Sequence, residues 1–383
     1  MTVLETPPRP AETTREARVF PAASERIRVR AFGPSDAGEL TVCFLAALAL
    51  VWLVYERLTP LSGALGFWVC TYVAFLAIAG FVAREQHGAV VARDQVVRIV
   101  VWSGAVGVIV PLISIVVTVV SHGVHALGLH FFTQDGSLVG PLDPASKGGA
   151  SDAIVGTLEQ VGIALLISVP LGVSTAVFLN EIGGRLARPV RTIVDAMSAI
   201  PSIVAGLFIF IAVIEEMGYH TGGFAGALAL SVLMLPTVTR TSELVLRLVP
   251  NGLREASLAL GSTEWRTTRH VVLPTSRSGL VTAVLLGVAR VVGEAAPLLF
   301  TLGSAHVFNG NPFSRPQNGL PLLIWNQYFL LSQKYSVQRA WNAALVLLGI
   351  VFVLFVLARV AGGRKVGHIG RVRRFRLARK GLA

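Results

Sequence analysis

A chain of 383 residues in which 53% are hydrophobic and only 14% charged has too little charge to cover a water-soluble body of its size, since soluble chains are about 25% charged. Its mean hydropathy is +0.68, and stretches such as 99–120 and 340–358 carry no Asp, Glu, Lys or Arg. About 20 apolar residues are enough to cross the hydrocarbon core as a helix. The net charge of +12 falls on arginines that lie between apolar runs, which marks one face of a membrane protein rather than a nucleic-acid surface. The composition argues against a soluble enzyme and predicts an all-α polytopic membrane protein.

Residues 1–39 are rich in Pro, Ala and Thr and balanced in charge, the composition of a disordered cytoplasmic arm. No secretory signal is visible, and the first apolar run, starting near Leu40, reads as a retained anchor. Eight spans are predicted at about 41–56, 63–83, 99–121, 152–179, 193–214, 225–247, 277–303 and 340–360. The first two form a hairpin. With the mixed-charge connector at 84–98 they make up region 40–98, apart from region 99–360 with its six spans; a basic tail occupies 361–383. Cys43 and Cys70 lie in apolar stretches and read as packing residues. The loop at 122–151 holds His122, His125 and His130, whose spacing fits no familiar metal site, so neither a metal nor a cofactor is expected. The loop at 304–339 contains a run from Gly319 to Leu331 that is too short to cross and carries Trp325 and Tyr328. It predicts an interfacial or re-entrant segment.

Orientation follows from counting basic residues. With the N-terminus inside, the inward segments hold 27 of the 33 Lys and Arg, the outward segments five, and Arg290 alone lies within a span. That asymmetry predicts both termini on the cytoplasmic side.

The loop at 248–276 is long for a connection between spans. Its pattern predicts a helix over Leu253–Leu260, a left-handed glycine at Gly261, a second helix over Glu264–His270 capped by Ser262, and a stop at Pro274. Such an elbow suits docking of another protein; an amphipathic loop lying on lipid is the competing reading. Glu255-Ala256-Ser257, three residues, Gly261, nine residues, Val271 and then Leu273-Pro274 resembles the EAA loop of ABC importer permeases, with Ser257 and Val271 as mild departures. The runs Arg240–Glu243, Leu246–Glu255 and Ala289–Thr301 narrow the resemblance to the A-type permease of high-affinity phosphate importers, although Ala295 stands where that family usually has Thr.

The resemblance covers about 150–360 and implies a six-helix type I importer core, to which the N-terminal pair is an extension without assigned function. It further implies that Glu255, Ala256, Gly261, Ser262, Trp265 and Pro274 couple the chain to a separate ATPase. The implied partners are an ABC ATPase dimer, a C-type phosphate permease completing a heterodimer, an extracytoplasmic phosphate-binding protein, phosphate and the lipids of the plasma membrane. No Gly-x4-Gly-Lys-Ser/Thr loop is present, so the chain is read as a non-catalytic transport subunit.

Ionisable residues inside spans mark function or pairing. Arg290 falls halfway along 277–303, with Glu294 one helical turn on; Arg240 and Glu243 lie near the inward end of the sixth span and Glu159 within the fourth. Asp195 is close enough to its span's inner end to face water. Arg290 and Glu294 read either as an ion pair that locks packing or as an anion relay, since a guanidinium binds two phosphate oxygens at once. Sulfate or molybdate is the alternative cargo. An ion-coupled secondary transporter would call for inverted repeats and broken helices, and a membrane hydrolase for clustered His, Ser or Glu deep in the spans; neither pattern is visible.

Overall fold

The computed structural model describes residues 34–58, 63–125, 127–137, 139–303, 305–330 and 333–362. Most of the expected arm and the basic tail lie outside them. The helices that carry the architecture are α1 (Ala37–Leu58), α2 (Ala64–His87), α3 (Ala89–Gly123), α4 (Ser151–Ile182), α5 (Ala187–Ala199), α6 (Ser202–Glu215), α7 (Gly223–Arg247), α8 (Asn251–Ala259), α9 (Glu264–Val291) and α10 (Lys334–Val360). Seven of these are long and apolar enough to cross a membrane, and the bent pair α5–α6 makes an eighth. There is no strand among the described residues.

The chain divides into two compact units, Met1–Leu112 and Ile113–Ala383. In the first, α1 and α2 form the expected hairpin, with Phe44 and Phe75 meeting edge to face at 5.7 Å. The connector expected at 84–98 is itself helical: α2 runs to His87, Gly88 breaks the chain at φ +86°, and α3 restarts at Ala89. The Tyr72 and Ser103 hydroxyls lie 2.5 Å apart and link α2 to α3. Cys43 is buried, as a packing residue would be, whereas Cys70 is exposed on α2.

The second unit is organised by α4 and α7. Gly156, Gln160, Ala164, Ser168, Gly172 and Ala176, four apart along α4, are all buried. Apart from Gln160 these side chains are small, and small residues at this interval let helix backbones approach closely. A methyl at Gly172 would stand 3.0 Å from Val238 of α7, and the Ser168 hydroxyl donates to the Ser231 carbonyl at 3.2 Å. Leu230, Leu233, Met234 and Val238 of α7 then meet Val288 and Val291 of α9 in the main apolar core.

Two expected spans and one loop segment differ in detail. The fifth, 193–214, is two helices bent by 105°. Ile200, held extended at ψ 125° by the following Pro201, makes the corner. The seventh, 277–303, ends at Val291. Gly293 and Pro297 follow, and a short separate helix, Leu298–Thr301, carries the rest. The run expected to be interfacial or re-entrant starts as a short helix in which Leu320, Pro321, Leu322 and Leu323 are buried, with Leu320 and Leu323 packed near Ala153 of α4 and Ala343 of α10.

Candidate functional site

The elbow forms as its sequence pattern predicts, with two corrections. Helix α8 closes on Gly261 at φ +84°, where the Gly261 amide reaches the Leu258 carbonyl at 2.9 Å and the Ser262 amide the Ser257 carbonyl at 3.2 Å. The cap of the following helix is Thr263, not Ser262: the Thr263 hydroxyl accepts from the Arg266 amide at 3.4 Å. Pro274 does not stop that helix either. A wide turn over Thr268–Val272, in which the Leu273 amide bonds five residues back to Thr268, lets α9 run on through Pro274. A π-type turn accommodates a ring that lacks the N–H of an ordinary turn. The Ser257 and Thr267 hydroxyls, 2.9 Å apart, brace the two arms.

The elbow's outer surface is open. Glu255 and Ala256 are exposed, Trp265 is 61% exposed and Leu260 is 88% exposed. Apolar side chains this accessible on a polar loop suit a protein partner. A residue the sequence reading passed over, Arg254, ties α8 inward. It pairs with Glu181 at the end of α4 and donates to the carbonyls of Leu246 and Val249.

The charged residues near the end of α7 form a closed cluster. Glu243 is 2% exposed. It accepts from Arg191 at 2.7 Å, Arg247 at 2.6 Å and Arg240 at 3.0 Å. Arg240 also pairs with Asp195 of α5. Both Glu243 oxygens are therefore occupied, and the cluster joins α5 to α7 as a built structural element. Arg191 has no local sign in the sequence because it meets Glu243 only across helices, 52 positions away, whereas Arg247 stands one turn on from Glu243 in the same helix.

Arg290 and Glu294 do not form the helical pair that their spacing suggested. Arg290 lies in the last turn of α9, and Glu294 lies beyond the helix, its amide bonded to the Val291 carbonyl at 3.1 Å. No ion pair joins the two among the described residues. Instead the exposed Arg290 guanidinium donates to the Thr237 hydroxyl at 3.3 Å. Thr237 is ten residues before the end of α7 at Arg247, about 15 Å along the helix at 1.5 Å per residue. The cation is thus at the end of its own helix yet beside the middle of a neighbouring span, and Arg240 is one turn along α7 from Thr237. At the other end of α4, Glu159 accepts from Gln317 at 2.5 Å, and Gln317 in turn accepts from Gln160 at 3.1 Å. Asn318 donates to Asp152 at 2.9 Å. His122 bonds the Thr118 carbonyl of α3 at 3.0 Å, and His125, just past the end of that helix, bonds the Ser121 carbonyl at 2.6 Å.

Chemically the arrangement offers cationic donors along one flank of α7 and an open docking elbow. The chain matches a family model for the inner membrane component of binding-protein-dependent transport systems over residues 168–365. The phosphate transport system permease protein PstA 1 of Mycobacterium tuberculosis H37Rv is 40% identical over 272 residues, 70% of this chain and 86% of that protein. The PstA proteins of Mycobacterium leprae and Yersinia pestis are 41% and 38% identical, over 63% and 66% of this chain and 80% and 84% of their own lengths. Among solved structures, an inward-facing form of the MetNI methionine ABC transporter is 26% identical with a TM-score of 0.43, covering 58% of this chain and 95% of that one. The chain is thus an all-α, multi-pass member of the family of binding-protein-dependent transport system inner membrane components.

Proposed function

We propose that this protein is the A-type permease subunit of an ATP-driven importer of inorganic phosphate. The observation that carries the reading is the open elbow at Gly261, a rigid turn with exposed Glu255, Ala256, Leu260 and Trp265 set on the end of α9. It is the surface a separate ATPase dimer would grip. Glu255, Ala256, Gly261, Ser262, Trp265 and Pro274 make up its coupling residues. Phosphate is the cargo that the named relatives suggest, and the exposed Arg290 beside Thr237 suits it, because a fixed guanidinium offsets the desolvation of an anion within a span. Arg240 and Arg290 line the route. Glu243 holds Arg240 in place and Glu159 fixes the far end of α4. Glu294, near Arg290 in sequence, limits how tightly an anion is held.

The remaining parts follow from the same reading. A C-type permease completes the pore, an extracytoplasmic binding protein delivers phosphate, and both termini face the cytoplasm. Residues 99–360 form the permease domain, with 248–276 as its coupling loop. The test is co-purification of the chain with its partners, followed by ATP-dependent uptake of labelled phosphate, sulfate and molybdate in liposomes. Phosphate uptake that exceeds the other two supports the assignment; preferred uptake of sulfate or molybdate overturns it.

A further inference from the structure

Helix α8 has no buried residue, so apolar packing does not fix it to the spans. Its attachment is polar and centres on Arg254. That side chain is 18% exposed and pairs with Glu181, 9% exposed, in the last turn of α4. The contact is two-pronged: Nη2 donates to Oε1 at 2.8 Å and Nε to Oε2 at 3.1 Å. The same guanidinium donates from Nη2 to the Leu246 carbonyl at 3.0 Å and from Nη1 to the Val249 carbonyl at 2.7 Å, at the end of α7. A further bond reaches Asn251 Oδ1 at 3.2 Å. Nearby, Ala176, Val177, Leu246, Val249 and Val272 form an apolar cluster shared by α4, α7 and α9. Little water reaches the pair, which strengthens and stiffens it.

We propose that the Arg254–Glu181 pair is the joint that delivers displacement of the elbow to α4 and α7. It makes Arg254 and Glu181 positioning residues of transport, distinct from the surface the ATPase touches. The inference rests on the coupling role given to the elbow above. Helix α4 carries Glu159 and α7 carries Thr237 and Arg240, so a push on α8 passed through this joint moves both helices. The Ser257–Thr267 bond ties the elbow only to itself and cannot carry motion to α4.

The test measures phosphate uptake and ATP hydrolysis in the same liposomes, using the full complex. Arg254→Lys keeps the charge but replaces a planar fork by a single ammonium. Phosphate moved per ATP hydrolysed should fall about tenfold, while the ATPase still co-purifies and still hydrolyses ATP. If uptake, hydrolysis and co-purification decline together at a constant ratio, or if Arg254→Lys leaves the ratio unaltered, the joint is refuted. A second measurement needs no variant: hydrogen exchange of the wild-type complex. ATP should change protection of amides 178–182 together with those of 251–260; a change confined to 251–260 sinks the proposal. Should the wild-type complex carry another anion, the ratio is read with that anion, and the phosphate assignment fails without touching the joint. Should it show no ATP-dependent uptake at all, the coupling role and the joint fall together.

Discussion

Gly261 holds φ at +84°, and a Cβ built there would meet nothing within 4 Å. The glycine is required by its backbone angle and not by crowding, since a left-handed residue with a Cβ costs about 1–2 kcal/mol. Gly261→Val should therefore misdirect the helix that follows and abolish uptake while the protein still inserts; Gly261→Asn, which tolerates this angle, should keep most of it. Uptake in liposomes and ATPase co-purification measure both. Arg290 is the second residue on which function turns. Arg290→Ala should abolish phosphate uptake with assembly intact, and Arg290→Lys should leave a partial rate. Because Arg290 bonds Thr237 and forms no ion pair with Glu294, the double change Arg290→Leu with Glu294→Leu should not restore transport. Recovery in that double variant would show that the arginine serves packing alone.

Packing between elements explains why the ionisable residues of α7 behave differently from one another. Glu243 joins α7 to α5 through Arg191 and gathers Arg240 and Arg247 of its own helix, while Thr237, nearly two turns earlier, leaves Arg290 open. Removing a buried partner strands the charges it neutralised, at a cost of about 3–5 kcal/mol for a fully buried pair. The side chains of Arg191, Arg240 and Arg247 are 37%, 29% and 52% exposed, so solvent screening brings the expected loss for Glu243→Ala to the lower end, about 3 kcal/mol. Thermal unfolding of the detergent-solubilised protein should show it, and Glu243→Gln should lose less. An unchanged unfolding midpoint for Glu243→Ala would mean that the cluster does not hold α5 against α7.

For the molecule as a whole, the decisive quantity is the distribution of charge across the bilayer. The elbow, α5 and the Glu243 cluster all fall in the strongly basic segments, whereas Lys147 and Arg315 stand in sparsely charged loops. With Cys43 and Cys70 replaced by serine, a membrane-impermeant maleimide should label Lys147→Cys in intact cells and label Gly252→Cys only after permeabilisation. Both positions are exposed in the fold, so accessibility within the protein does not confuse the result. The reverse pattern would invert the topology and remove the elbow from any cytoplasmic ATPase.

Span count, class and elbow were legible in the order of residues because each rests on a local property. Apolar length makes the helices, and Gly261 makes the turn whatever surrounds it. Even the break in the fifth span had a local sign in Ile200-Pro201, although continuous hydrophobicity hid it. Other features had no such sign. Arg254 meets Glu181 across 73 positions, and Arg191 meets Glu243 across 52. Helical spacing put Glu294 beside Arg290, but the helix ends between them, at Val291, just before Gly293. Only the packing of α4, α5, α7 and α9 decided which charges neutralise one another and which remains open, because electrostatic partners are chosen by distance in space, and a chain's order constrains that distance only over a turn or two.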